Sequence, residues 1–495
     1  MKWAGQPPPQ RNVPGEEPPG YKALPRATWH LVCYAHRTSR FSPHMEARIV
    51  LNFRTLQRAL LGAVAAASLL PFSTNASTLY VAPGGAGNGT SDNPFGRIAD
   101  ALAVAVAGDT VLLKAGTYSE RLRTVRGGTA SSRLVIRAER DGKAILASGA
   151  GTVVRVSHPY VTIRGLVVDG QYGPYDAVRV DSASTALVLQ YLEVKRSSKD
   201  CIDLRAPANV VVEQSMIHHC LNATNGRTDA HGIVAGAVRN LVVRDTKIHT
   251  FSGDAIQLDP DRTAPGWSRL TIDRCQFWLG PLLRAENGFP IGTVPGENAL
   301  DTKTLGTAPR ATVIVRQTAA WGFRGGLLTN MAAFNIKENV DATFDGVTVS
   351  RSEIAFRLRG PGPNGGAWAR VQNAVVYDVG TAVRYEDNIE RVQVWNSTLG
   401  SAIPRFFRAA SSTAAGVDVR NVLFLGSAST MPGGLGNEQA TAAFFVNAGA
   451  HDYRLAPGSP AVEGGVSINS VSKDRIGVSR PQGTYWDVGA HEFVH

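Results

Sequence analysis

Lys303, Lys337 and Arg359 close three copies of one five-residue pattern: Ala299-Leu-Asp-Thr-Lys303, Ala333-Phe-Asn-Ile-Lys337 and Ala355-Phe-Arg-Leu-Arg359. The pattern reads small, apolar, polar, apolar, charged, with Thr302 in the fourth place of the first copy. If the copies lie one above another, three cations stand roughly 5 Å apart. Such a column repels itself unless an anion is bound there. The polar position adds Asp301, Asn335 and Arg357. This set suits one chemistry above others. A base removes the proton α to a carboxylate, cations neutralise the charge that develops there, and an oxygen leaves from the next carbon. Lys337 is expected as the base, because cations on both neighbouring rungs disfavour its own charge. Lys303, beside Asp259 and Asp301, suits carboxylate binding better.

The same pattern returns as Ala177-Val-Arg-Val-Asp181, Cys201-Ile-Asp-Leu-Arg205, Ala255-Ile-Gln-Leu-Asp259 and Ala382-Val-Arg-Tyr-Glu386, with a degenerate copy at Gly232-Ile-Val-Ala-Gly236. Alternation with period two is a strand with one buried and one wet face. Eight copies at irregular spacing make a repeat protein. Each is followed by a second apolar run, such as Asn209-Val-Val-Val-Glu-Gln-Ser-Met-Ile217. Two or three short strands per turn, stacked, predict an all-β, single-domain right-handed parallel β-helix over residues 78–495. Equivalent outward residues then form two ladders. The first is Arg179, Asp203, Val234, Gln257, Asp301, Asn335, Arg357, Arg384. The second is Asp181, Arg205, Gly236, Asp259, Lys303, Lys337, Arg359, Glu386.

Abundant glycine, 51 residues, and a charged fraction of only 18% suit short strands and many turns, and argue against disorder in the bulk of the chain. Residues 1–44 differ: Pro and basic residues cluster without an apolar period, as in a leader foreign to the mature protein. From Met45, three arginines precede the run Ala59-Leu-Leu-Gly-Ala-Val-Ala-Ala-Ala-Ser-Leu-Leu70, and Thr74-Asn-Ala76 offers a small-x-small cleavage site. Residues 45–76 therefore read as a signal peptide, and a secreted or periplasmic location is expected. The run is too short for a comfortable membrane span, so no stable insertion is expected. Of 51 basic and 40 acidic residues, residues 1–76 hold nine and three, which leaves an excess of five. That mild excess permits an acidic polymer as partner. It does not argue for nucleic acid, since no dense basic run or stacking motif is present. A monomer is expected.

Ahead of the coils, Asn93 reads as an N-cap before Pro94, with Phe95, Ile98, Leu102 and Val106 on one helical face and Gly108 as the stop. This predicts an N-terminal capping helix over the open end of the core. Two long connections, from Pro260 to Gly296 and from Ala319 to Asn330, fall beside Asp259, Lys303 and Lys337, where they would wall a cleft. Trp267, Trp278, Trp321 and Phe323 in or near them are either sugar-stacking platforms or anchors. Cys201, Cys220 and Cys275 remain after the signal peptide, an odd number, so at least one thiol is unpaired. Cys201, at a small-residue position, suits packing. His231, near Asp229, is a candidate for substrate contact or acid assistance, and the pair His218-His219 reads as solvent-facing.

Two stretches resemble known families. Tyr80-Val-Ala-Pro, Gly108-Asp-Thr-Val and Ala115-Gly-Thr-Tyr resemble the opening of secreted pectate-lyase-like β-helix proteins, and Asp452-Tyr-Arg-Leu-Ala-Pro with Asp487-Val-Gly-Ala-His-Glu resembles their closing segment. Lys337-Glu-Asn-Val followed by Phe356-Arg-Leu-Arg-Gly360 is similar to the lysine and Arg-x-Gly arrangement of the chondroitinase B and alginate lyase group. That resemblance implies Lys337 as base and Arg357 or Arg359 as acid. Its calcium ligands have no counterpart here, where Asn330 and Ala332 stand. Glu297-Asn-Ala-Leu-Asp-Thr-Lys303 more nearly resembles the calcium and lysine segment of family nine pectate lyases. That implies Lys303 as base, with Asp301, Glu297 and Asp259 as metal ligands for Ca2+. The substrate implied is an acidic polysaccharide, held also by Asn335, Arg384, His231 and Trp321. A uronate C5-epimerase shares the first proton abstraction. A hydrolase needs paired carboxylates instead, and a non-catalytic binding scaffold would also carry a basic ladder.

Overall fold

The structure, a computed structural model, describes residues 76–494 apart from 224–228, 361–365, 411–415 and 427–430. All but the last residue of the expected leader and signal peptide lie outside the described residues.

Alternating apolar and polar residues fold each repeat into three short strands. One coil comprises Ala208–Glu213, Met216–Cys220 and Ile233–Ala235, and the next comprises Arg239–Arg244, Lys247–Phe251 and Ile256–Leu258. Each strand pairs in parallel with its equivalent one coil on. The first face is a 13-stranded sheet, and the other two faces merge into one array of 22 strands. They merge because Thr348–Arg359 and Val375–Glu386 each run across two faces. Parallel strands joined by such crossovers wind into the right-handed β-helix that the repeats predict.

The pentads form the third strand of each coil. Their apolar second positions, Ile202, Ile256, Leu300, Phe334 and Phe356 among them, stack as a fully buried column. Phe334 and Phe356 lie 5.7 Å apart and stacked, with Phe344 against both. Thr302 stands in an inward column without exposure. Its Oγ1 accepts the amide of Lys337 at 2.8 Å and donates to the carbonyl of Lys337 at 3.2 Å. The polar exception in the pattern thus fixes the backbone of the next rung's lysine.

The helix is shorter than the sequence predicts. It spans Ile98–Val104, begins after Arg97 rather than Asn93, and leaves Val106 40% exposed. Its first amides are satisfied from a distance: Ile98 N donates to Glu120 Oε1 at 2.5 Å. A carboxylate at the positive end of the first turn substitutes for the local cap. Ile98, Ala101 and Leu102 are buried, against the strands Thr78–Val81 and Thr110–Leu113.

Cys201 and Cys220 form a disulfide, with Cα atoms 5.6 Å apart, and Cys275 is free and buried. The packing role expected for Cys201 is thereby corrected. Cys220 ends the second strand of the following coil, where it pairs with Ser197, the last residue of the strand before Cys201. The bridge closes 19 residues of chain. Cys201→Ser should therefore cost about 3 kcal/mol of unfolding free energy, read from denaturant midpoints. A midpoint unchanged without reductant would contradict the pairing.

At the far end, Asp452–Leu455 pairs antiparallel with Phe445–Asn447. Glu492 binds Arg480 at 2.6 Å with both side chains buried, and His491 is 9% exposed. These residues hold the closing segment. Among the described residues no helix is long and apolar enough to cross a membrane.

Candidate active site

The pairings run Arg179 with Asp203, Asp203 with Val234, Val234 with Gln257, Gln257 with Asp301, Asp301 with Asn335, Asn335 with Arg357, and Arg357 with Arg384. All eight residues of the first ladder therefore share one face. The second ladder follows from amides reaching back one rung, as Asp259 N does to Ala235 O and Lys303 N to Leu258 O.

On this face the cations are not bare. Lys337 Nζ lies 2.8 Å from Asp301 Oδ1, off the line of a hydrogen bond, and Lys303 Nζ lies 4.0 Å from Asp301 Oδ2. One carboxylate thus stands between two ammonium groups. On the next rungs Glu386 gathers Arg357 at 2.7 Å, Arg384 at 2.8 Å and Arg359 at 3.3 Å, and Arg359 also reaches Asp387 at 2.7 Å. Arg384 donates to Asn330 Oδ1 at 2.7 Å. The uncompensated column of like charge expected from the sequence is corrected here: the middle and last positions supply counter-charges that the bare spacing hides. In these ion pairs five cations share three carboxylates, Asp301, Glu386 and Asp387.

Below this layer lies a second one that the pentads do not announce. The residue just before four of the pentads accepts an amide from the next rung. Asp200 Oδ1 accepts from His231 N at 3.0 Å, His231 Nδ1 from Asp254 N at 2.8 Å, Asp254 Oδ1 from Asn298 N at 3.1 Å, and Asn298 Oδ1 from Ala332 N at 3.0 Å. His231, at 2% exposure, belongs to this floor. Its placement corrects the expectation of direct substrate contact, since the ring lies under the ladder. The signal was present in the sequence as Asp176, Asp200, His231, Asp254 and Asn298, five polar residues each preceding a small one.

Asp254 is buried completely, and its carboxyl is pushed well above the usual range by burial and then by the charges of Asp301 and Glu297. Glu297 is pushed up to about 7, by burial first and then by Asp229 and Asp301, against the pull of Lys337 and Lys303. No hydrogen bond or ion pair of the Glu297 side chain occurs among the described residues. A raised carboxyl binds its proton more tightly folded than unfolded, so its stabilisation is complete below the unfolded value and is lost as pH climbs through the folded one. Relative to Glu297→Gln, the wild-type protein should lose about 2 kcal/mol of stability between about pH 4.5 and 7. Parallel unfolding curves across that window would contradict the assignment.

The other sequence candidates separate. Asp259 is fully buried and closes its own turn, with Oδ1 accepting from Thr263 N at 2.9 Å and Thr263 Oγ1 at 2.8 Å. Asn335 Oδ1 is buried with no partner among the described residues. Trp267 and Phe323 are buried anchors, and Trp267 Nε1 donates to Lys303 O at 2.8 Å. Trp321 stands on another face, in the strand that precedes the pentad. There it stacks on Trp278 at 5.1 Å, Trp278 on His249 at 4.3 Å, and His249 on His218 at 5.0 Å. With one face covered, Trp321 is a member of a ring column rather than a lone platform at the ladder. His218, which ends this column, and His219, edge-on to it, are half-buried rather than solvent-facing.

Calcium fits this arrangement poorly. Asp301 is taken by Lys337, Asp259 by its own turn, and among the described residues no three His, Cys, Asp or Glu are grouped to hold a metal ion.

The fold and the face together define a parallel β-helix with a polar ladder along one sheet. No protein-family model and no curated protein matches the chain. Solved structures resemble it at low identity. Pectate lyase Pel9A is 15% identical, covering 84% of this chain and 96% of its own, with TM-score 0.44. An alginate lyase from Paenibacillus sp. str. FPU-7 is 15% identical over 68% of this chain and 97% of its own, with TM-score 0.42. A rhamnogalacturonan lyase is 13% identical over 75% and 91%, with TM-score 0.43.

Proposed function

We propose that this protein is a secreted polysaccharide lyase that cleaves a uronic-acid-containing polymer by β-elimination at the ladder. The observation that carries the reading is the set Lys303, Lys337, Arg357, Arg359 and Arg384 on one face, around the buried Asp301 and Glu386. Cations so placed bind a uronate carboxylate and stabilise the charge that grows on it when the α proton leaves. Lys337 takes that proton. It does so as the neutral amine, and Asp301, at 2.8 Å, is placed to hold the ammonium that forms. Lys303 and Arg357 neutralise the substrate carboxylate, and Arg359 protonates the departing oxygen. Arg384, held by Glu386 and Asn330, positions the neighbouring unit. The Cys201–Cys220 bridge supports an oxidising compartment, in keeping with secretion.

A glycoside hydrolase has one observation of its own, the pairing of a late-titrating Glu297 with the carboxylate of Asp301. Incubation with pectate, alginate and chondroitin separates the two. A lyase raises ultraviolet absorbance as unsaturated ends accumulate, whereas a hydrolase yields reducing ends without absorbance. Binding without either product would leave a scaffold.

A further inference from the structure

The first ladder continues past the candidate site at its N-terminal end. Arg123 pairs with Arg155, and Arg155 with Arg179, on successive rungs before Asp203. Guanidinium groups stacked at rung spacing repel one another unless an anion intervenes. Arg123 is turned inward, donating to the carbonyls of Leu122 at 2.8 Å and Thr152 at 2.6 Å. Arg155 and Arg179 share a single carboxylate, Asp181, at 2.7 and 3.4 Å. Arg179 Nε is buried without a hydrogen bond. Beside them Arg205, with a side chain 44% exposed, covers Asp203 and Asp176, at 11% and 3%. The carboxylates lie behind and the guanidinium groups in front, so an approaching chain meets positive charge.

From Arg179 the pairings step through Asp203, Val234, Gln257 and Asp301 to Asn335, the rung of Lys337. Five steps amount to about 24 Å. A hexuronate unit advances its chain by about one rung, so only a chain of six or more units touches both places.

We propose that Arg155 and Arg179, flanked by Arg205, form a distal anion-binding site for a carboxylate of the same polyanionic sugar chain whose reacting unit lies at Lys337. This rests on the reading of the ladder as a uronate site, and it makes the protein one that works within long chains rather than on short ends. Between Arg179 and the rung of Lys337 the first ladder offers Asp203, Val234, Gln257 and Asp301, none of them a cation.

The test is equilibrium binding of size-fractionated oligogalacturonates and oligoguluronates, three and ten units long, to Lys337→Ala protein so that no turnover intervenes. The ten-unit chain of one series should bind about tenfold more tightly than its trimer, and Arg155→Gln with Arg179→Gln should remove most of that gain. Arg164→Gln, a charge lost on the first sheet, should leave the gain in place. Arg155→Gln alone, at an exposed side chain, gives a smaller loss without risk to folding, and melting curves accompany both. Equal binding of trimer and decamer, or a gain that survives the double substitution, overturns the proposal. If the wild-type protein yields no unsaturated product yet the length dependence is present, the chemistry fails and the distal site stands.

Discussion

Lys337→Ala should lower the rate of unsaturated-product formation by about 10²- to 10⁴-fold, the range for loss of a positioned proton-transfer group. Binding should fall less, because Lys303 and the three arginines around Glu386 remain. The substitution also removes the nearest cation from a buried carboxylate, leaving Lys303 at 4.0 Å. Breaking such a pair destabilises a fold on its own account, so a melting curve must accompany the rate. Lys337→Arg separates the two effects. Arginine keeps the counter-charge for Asp301 and cannot serve as a neutral base, so this variant should fold and remain inactive. Full activity in Lys337→Arg would move the base elsewhere, with Lys303, on the other side of Asp301, next in line.

Asp254→Leu should unfold at markedly lower denaturant, with a loss of at least about 3 kcal/mol. The side chain accepts from Asn298 N at 3.1 Å, Asn298 Nδ2 at 2.8 Å and Gln257 Nε2 at 2.9 Å, all buried donors. Each one stranded costs about 1 to 3 kcal/mol. Asp254→Asn keeps an oxygen for the amide of Asn298 and should lose far less. Similar losses in the two variants would mean that the buried ladder does not act through its acceptors.

The ladder was legible because period two is unforgiving: slipping a pentad by one residue would turn Phe334 and Phe356 outward and Asn335 and Arg357 inward. The apolar columns thus set the register, and the outward residues followed. Their partners were not legible. Which carboxylate meets Lys337 depends on the reach of side chains across rungs: Asp259 shares the second ladder with Lys337, yet Asp301, one rung back on the first ladder, makes the contact. The buried row through Asp254 escaped because its residues precede the alternating pattern. The cap from Glu120 and the bridge from Cys220 join parts of the chain 22 and 19 residues apart, beyond what a local motif records. Trp267 and Phe323 sit in loops that fold back onto the body, so their burial had no local signature.

The central claim is that the chain is broken by elimination on this face. Mass spectrometry of products formed in water enriched in heavy oxygen tests it most directly. Elimination predicts fragments with an unsaturated end, lighter than hydrolysis products by one water and free of label. Fragments that carry the heavy oxygen at a new reducing end would contradict it.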